Sequence, residues 1–199
     1  MPQFIRNMKI KNLELKNNIF LSPMAGITGY AFRKICIENG CGLAVGEMVS
    51  SESVYHNNSK SIQMLKILDD YPTAIQIFGT QPDKILYAAK IAQEEGAAMI
   101  EINAGCPVKK IIKAGAGAAL MKNPKLLAKI VETLAKNLKI PVSVKIRAGT
   151  NLKDISAIET SQILEKSGAD CIHIHLRYVE QEHNGPVNFL IGKEIKEKI

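Results

Sequence analysis

The sequence predicts an α/β fold on a parallel sheet, a (β/α)8 TIM-type barrel that is incomplete, and three observations predict it. Short apolar, β-branched runs recur, most followed by a helical pattern. This is the alternation a parallel sheet with crossover helices requires. Polar or special residues stand at the C-terminal end of every run: Ser22-Pro23-Met24, Glu47, Gln76, Asn103 with Cys106, Lys145 with Arg147, and His175 with Arg177. A barrel gathers its chemistry at that face. No G-x-G-x-x-G follows the first run, so the competing open doubly wound sheet lacks its main signature.

The elements follow in order. Residues 8–15 read as a β-hairpin that plugs the bottom of the barrel. Strands are expected at 18–23 (NIFLSP), 43–49 (LAVGEMV), 74–78 (AIQIF), 99–103 (MIEIN), 142–146 (VSVKI) and 171–175 (CIHIH). Such runs suit strands buried on both faces. Residues 30–39 read as a short helix closed by Asn39-Gly40, and 61–68 as a helical stretch without clear boundaries. Pro82 opens a helix with Ile85, Ala88, Ala89 and Ala92 on one face and Gly96 as its stop. Asn123 caps and Pro124 begins another, with Leu127, Ile130, Val131, Leu134 and Leu138 at helical spacing. Asp154 or Ser156 caps a third running towards Gly168, and the closing KEIKEKI is the helix after the sixth strand.

A full barrel takes ~250 residues and eight βα units; the 199 residues here give six. Strands seven and eight, which in many barrels supply a phosphate site, are not in the pattern. No linker or second domain is visible, so residues 1–199 read as one partial barrel domain whose first and sixth strands are open edges through which copies would associate.

The chain carries 26 Lys+Arg against 19 Asp+Glu, a net charge of +7. That balance alone fits a solvated lysine-rich surface better than it does a polyanionic partner such as nucleic acid, to which it is a weak pointer. No apolar run approaches the ~20 residues of a membrane helix, and the N-terminus lacks the apolar stretch of a secretory signal. The four cysteines are scattered without a C-x-x-C pair, which argues against a zinc site or disulfide framework and for a reducing, cytoplasmic setting.

Cys106 is the sharpest catalytic candidate. Gly105 and Pro107 hold it on a tight loop after a strand, and a free thiol is mostly protonated at neutral pH and can donate a proton. Lys145 interrupts an apolar strand, where a buried ammonium needs an anion or an electron-rich ligand. Gln76 follows the same logic, matching a heterocycle edge or serving as a satisfied core amide. His173 and His175 alternate and so share a face; no carboxylate cluster supports a metal pair, and His175 with Arg177 reads as a ligand or phosphate contact. Gly115-Ala116-Gly117 near Lys109, Lys110 and Lys113 could cradle a phosphate, although it lacks the G-K-[ST] ending of a P-loop. Cys36, Cys41 and Cys171 read as small apolar fillers.

Taken in order, Ser22-Pro23-Met24-Ala25-Gly26-Ile27-Thr28 with Phe32-Arg33, Gln76-Ile77-Phe78-Gly79, Glu101-Ile102-Asn103-Ala104-Gly105-Cys106-Pro107, Gly115 to Leu120, and Val144-Lys145-Ile146-Arg147 resemble the tRNA-dihydrouridine synthases. The resemblance implies an FMN-containing barrel that reduces uridine to 5,6-dihydrouridine in tRNA, with NADPH reducing the flavin. Hydride would pass from flavin N5 to uracil C6 and Cys106 would protonate C5. By position, Pro23, Met24 and Ala25 would lie against the flavin ring, Gln76 would bind its edge, and Lys145 would stabilise negative charge on it. His175 would also contact the flavin. Asn103 would line both flavin and substrate pockets, with Lys109 and Arg177 on the substrate side. The sequence departs from the family at Gly29, where Asp is usual, and at His175-Leu176-Arg177-Tyr178-Val179, where H-G-R-T-R is usual. The family's helical C-terminal tRNA-binding domain has no counterpart, so the chain resembles the N-terminal portion of such an enzyme. Two further readings are another FMN-dependent barrel, of the pyrimidine or dihydroorotate dehydrogenase kind, and an inactive fragment.

Overall fold

The computed structural model describes residues 5–67, 70–154 and 156–199. A hairpin comes first, β1 (Met8–Ile10) antiparallel to β2 (Leu13–Leu15). The main sheet contains β3 (Phe20–Leu21), β4 (Leu43–Val45), β5 (Val49–Ser50), β6 (Thr73–Phe78), β7 (Met99–Asn103), β8 (Val142–Arg147) and β9 (Cys171–His175). Its order is β3-β4-β6-β7-β8-β9, with β5 also on β6, and every pairing is parallel. This is the expected incomplete barrel. Among the described strands, β3 pairs only with β4 and β9 only with β8, so each leaves one edge open.

The sheet's two faces are chemically different, because side chains alternate along each strand. Ile75, Ile77, Ile100, Ile102, Val142, Val144 and Ile146 face the helices in one large cluster. Against them pack α4 (Pro82–Glu94), α6 (Pro124–Asn137), α7 (Ser156–Lys166) and α8 (Phe189–Lys198) through Ile85, Leu127, Ile130, Leu134, Ala157, Leu164 and Ile191. The opposite face holds a smaller cluster of Leu43, Val45, Ala74 and Met99 closed by Ile10 and Leu15 of the hairpin. The hairpin therefore plugs the N-terminal end of the barrel interior. Above it the interior becomes polar: Gln76, Glu101, Ser143 and Cys171 lie in register, and Asn103, Lys145 and His173 form the next row.

The boundaries refine the sequence reading. Strand 99–103 and strand 171–175 stand as expected. The expected strand 18–23 pairs only over Phe20–Leu21, because the chain turns at Pro23 and Met24, where Ile27 and Thr28 donate to the Met24 carbonyl. The expected strand 43–49 splits in two around Gly46 and Glu47. The expected helical stretch 61–68 is helical only over 61–63, the end of α3 (Ser59–Gln63), capped by Asn58, and a further short helix, α2 (Ser51–Tyr55), capped by Ser50, precedes it; residue 68 lies outside the described residues. Helix α1 (Tyr30–Glu38) is as expected. Asn123 does cap α6, accepting from the Leu126 N–H at 3.2 Å, and Gly96 ends α4 with φ 96°.

Candidate functional site

The Cys106 loop is fixed from three sides. Asn103, at the end of β7, accepts through Oδ1 from the backbone N–H of Gly105 at 3.2 Å and of Cys106 at 3.0 Å. Ala104 N–H donates to the Lys145 carbonyl, and Arg147 Nε donates to the Gly105 carbonyl, both at 2.9 Å. Arg147 is itself buried and also donates to the carbonyls of Tyr178 and Glu182. The thiol thus sits on a turn tied to two strands, half-buried.

The third tie comes from the glycine-rich segment. Instead of an open phosphate cradle, it forms a 3-10 helix (Gly117–Lys122), and Ala118 N–H donates to the Cys106 carbonyl at 3.0 Å. Gly117 has φ 61°, and a Cβ there would meet the Cys106 carbonyl oxygen and Ile111 Cγ2 at 2.8 Å. Gly117→Ala is therefore expected to destabilise the chain by about 1–3 kcal/mol from the backbone alone. It should also displace the Cys106 loop. Denaturant unfolding checks the first effect; the alkylation rate of each cysteine, read by peptide mass spectrometry, checks the second, with Cys106 changing most.

Below the loop, Gln76 and Asn103 are joined side chain to side chain. Asn103 Nδ2 donates to Gln76 Oε1 at 2.9 Å, and Gln76 Nε2 donates to Glu101 Oε1 at 2.7 Å. Glu101 is fully buried and its other oxygen pairs with His173 Nδ1. Burial alone would pull the His173 imidazole down; the Cys171 and Glu101 hydrogen bonds and the Glu101 charge overcome it and push it up to about 10. His173 is therefore a cation at neutral pH. Neither Glu101 nor the His173 pairing emerged from the sequence, and Cys171, read as a filler, places its Sγ 3.4 Å from His173 Nε2.

Lys145 stands beside His173 in register. Burial holds its ammonium below the ordinary lysine value, opposed by the Glu101 charge and reinforced by Arg147. A cavity of about 280 Å³ opens next to it, lined by Phe20, Ser22, Pro23, Val45, Lys145 and His173 among others. It lies between the open edges of β3 and β9, and the Phe20 and His173 rings meet edge to face across it, 5.4 Å apart.

The remaining residues are scattered around this centre. Pro23 lines the cavity, while Met24 and Ala25 form the adjoining turn, tied by Gly26 N–H to Glu47 Oε2 at 2.6 Å. His175, one row above His173, is pushed down to about 4 by burial and by the surrounding charges of Arg147, Lys145 and Arg177, so it is neutral. Its Nε2 accepts from Arg177 Nη1 at 3.3 Å, and Arg177 Nε donates to the Gly185 carbonyl. Lys109 begins α5 (Lys109–Lys113) and is exposed, as are Lys110 and Lys113. Among the described residues, no three His, Cys, Asp or Glu side chains come together as a metal site would require.

A parallel βα sheet of barrel type, with a thiol loop and a half-buried lysine at the C-terminal ends of its strands, defines the class: a barrel protein whose site faces that end. The family model for dihydrouridine synthase matches residues 20–199, and the chain belongs to that family. A probable tRNA-dihydrouridine synthase of Rickettsia prowazekii (strain Madrid E) is 38% identical over 194 residues, covering 96% of this chain and 59% of the relative. A tRNA-dihydrouridine synthase B of Pasteurella multocida is 37% identical over 193 residues, covering 96% and 58%. The chain thus spans under two thirds of the curated relatives it matches. Among solved structures, a 2-naphthoyl-CoA reductase complex overlays 98% of the chain and 44% of its own length, with TM-score 0.70 and 12% identity. A variant of NCR from Zymomonas mobilis overlays 100% and 77%, with TM-score 0.63 and 14% identity. Both show the fold. No helix among the described residues is long and apolar enough to cross a membrane.

Proposed function

We propose that residues 1–199 form part of the catalytic domain of a cytoplasmic flavoenzyme that reduces uridine to 5,6-dihydrouridine in tRNA, with FMN as cofactor and NADPH as reductant. The observation that carries the reading is the Cys106 thiol, on a loop held by Asn103, Arg147 and the Gly117 segment after β7, whose last residue Asn103 is in register with the Lys145 that lines the cavity.

The residues fit FMN on one test. Lys145 is a desolvated cation on the wall of an open cavity, with no ion pair or hydrogen bond of its own among the described residues. Such a group is satisfied by an electron-rich ring that takes up negative charge. The cavity volume sits near the lower edge of the ~300–1,000 Å³ usual for cofactor sites, enough for a ring system rather than a whole dinucleotide. Bound FMN supplies the hydride. The chain's own residues supply the rest: Lys145 holds negative charge on the ring, Pro23, Met24 and Ala25 give it a surface, and Cys106 Sγ–H delivers a proton to uracil C5. His175, as a neutral imidazole backed by Arg177, offers a contact without adding charge. Gln76 has both ends of its amide engaged within the protein, so its contact to the ring edge uses its remaining N–H or lone pair. Asn103, Lys109 and Arg177 face the RNA, and the exposed lysines of α5 directly after Cys106 meet its phosphates.

The test is a chimera in which this chain replaces the matched 194 residues of the Rickettsia prowazekii relative, expressed in cells lacking other dihydrouridine synthases. The purified chimera should show flavin absorbance, and mapping should find dihydrouridine in tRNA. A chimera that holds flavin but leaves every tRNA uridine unreduced overturns the reading.

A further inference from the structure

The proton-donating loop is the top of a hydrogen-bond relay whose bottom is an ion pair. The relay runs from His173 through Glu101, Gln76 and Asn103 to the backbone N–H groups of Gly105 and Cys106. Each amide in it could face either way, since the two ends of a Gln or Asn side chain are nearly the same shape. The two ends decide, and they agree: the backbone N–H groups of Gly105 and Cys106 can only donate, and the Glu101 carboxylate can only accept. A carboxylate is acceptor-only, so Gln76 must turn its NH2 towards Glu101 and its oxygen towards Asn103. Asn103 must then turn its NH2 towards Gln76, which leaves its oxygen for the loop. An amide at position 101 can donate or accept at either end, so it leaves the two loop N–H groups alone to hold that direction.

We propose that Glu101 and His173 are positioning residues: the buried carboxylate, held in place by the imidazolium, anchors the Gln76–Asn103 relay from below and through it steadies the geometry of the Cys106 loop. The proposal rests on the reading of Cys106 as proton donor for its purpose, but its geometry stands without it.

The groups that face the His173 ring are Glu101 from β7, Lys145 beside it on β8, Cys171 on its own strand, and the uncharged ring of Phe20 from β3. Glu101 is the one anion in this set that pairs with it. The raised His173 value agrees. A histidine titrating near 10 when folded and near 6.5 when unfolded stabilises the fold fully below pH 6.5, and this contribution is lost as pH rises through about 10.

The test uses the intact chain and two variants, Glu101→Gln and His173→Gln, neither of which changes side-chain volume much. Deuterium exchange at the imidazole C2 carbon, read by mass spectrometry, follows the titration of His173. It should lie near 10 in the parent and fall in Glu101→Gln, where the Cys171 hydrogen bond alone is left to oppose burial. Backbone amide exchange at Gly105 and Cys106 should speed up about tenfold in Glu101→Gln, the scale of one weakened neutral hydrogen bond to Asn103. The amides of α6 should keep the parent's protection. In His173→Gln, which leaves a neutral donor on the carboxylate, the same two amides should loosen less, with α6 again unchanged.

Unchanged protection at Gly105 and Cys106 in Glu101→Gln overturns the proposal, whatever His173 does. If that variant unfolds, His173→Gln decides: loosening confined to the loop supports the pair, and parent-like protection overturns it. None of these readings depends on flavin or RNA. A chimera without activity therefore counts against the proposed function, and an unmoved loop counts against the relay.

Discussion

In the chimera that holds flavin, Cys106→Ala lowers dihydrouridine formation by about 10²–10⁴-fold, the usual weight of a positioned general acid, while flavin absorbance per chain stays at the parent level. The separation follows from where the thiol stands. Its loop is held by backbone groups and by the side chains of Asn103 and Arg147. None of these contacts uses Sγ, so the loop keeps its shape in the variant. The cavity beside Lys145 is lined by residues of β3, β4, β8 and β9, and Cys106 is not among them. Cofactor and proton donor are thus carried by different parts of the sheet. Parent-like dihydrouridine levels in tRNA would remove Cys106 from its role, and loss of flavin together with activity would make it part of the cofactor site instead.

What could be read from the sequence depended on whether a residue contradicted its surroundings. Lys145 in VSVKI and Gln76 in AIQIF stand out because a polar group between β-branched residues has to be satisfied by something. Strand 99–103 was legible to the residue because it is buried on both faces. Asn123-Pro124 announced a helix because a side-chain cap and a missing N–H are both local facts. Short elements were not legible. Strand β5 exists only through its pairing with β6, and α2 and α3 are each shorter than two turns, too short for a periodicity to form. The Glu101–His173 pair was hidden for a different reason. The two lie 72 positions apart on strands that are not neighbours. Ser143, small and in register with Glu101 on the strand between, leaves the carboxylate room to reach across β8. Glu101 alone reads as an oddity in MIEIN and His173 alone as half of a His-x-His pair; only the sheet order joins them. The glycine-rich segment misled in the opposite way. Its glycines are needed for close approach to the Cys106 backbone, a demand that looks identical in sequence to that of a phosphate loop.

The 199-residue chain expressed by itself is expected to associate and to retain little flavin. Strand β9 presents an unpaired edge of five residues and β3 a shorter one, rows of N–H and C=O groups free to pair with another chain. The burial gradient across the sheet points the same way. All five residues of β7, in the middle, are buried, whereas all five of β9 are only partly covered. The cavity that would receive the flavin ring lies in the slot between these two edges, so one of its walls is open where a closed barrel would have strands. The start of α8 and the segment before α7 add apolar exposure, with Leu152, Phe189 and Leu190 at 65%, 71% and 79% of full accessibility. Pairing of edges between copies would satisfy the unpaired N–H and C=O groups and would also fill the slot, in competition with flavin. Gel filtration with in-line absorbance should therefore show species larger than 21.8 kDa, growing with protein concentration and carrying far less than one flavin per chain. The chimera, whose added length supplies further chain to cover the edges, should run as a discrete species and hold its flavin. A monomer of the chain alone, with one FMN bound across the concentration range, would mean that the β3 and β9 edges are closed by contacts within the chain itself, and the association would have to be abandoned.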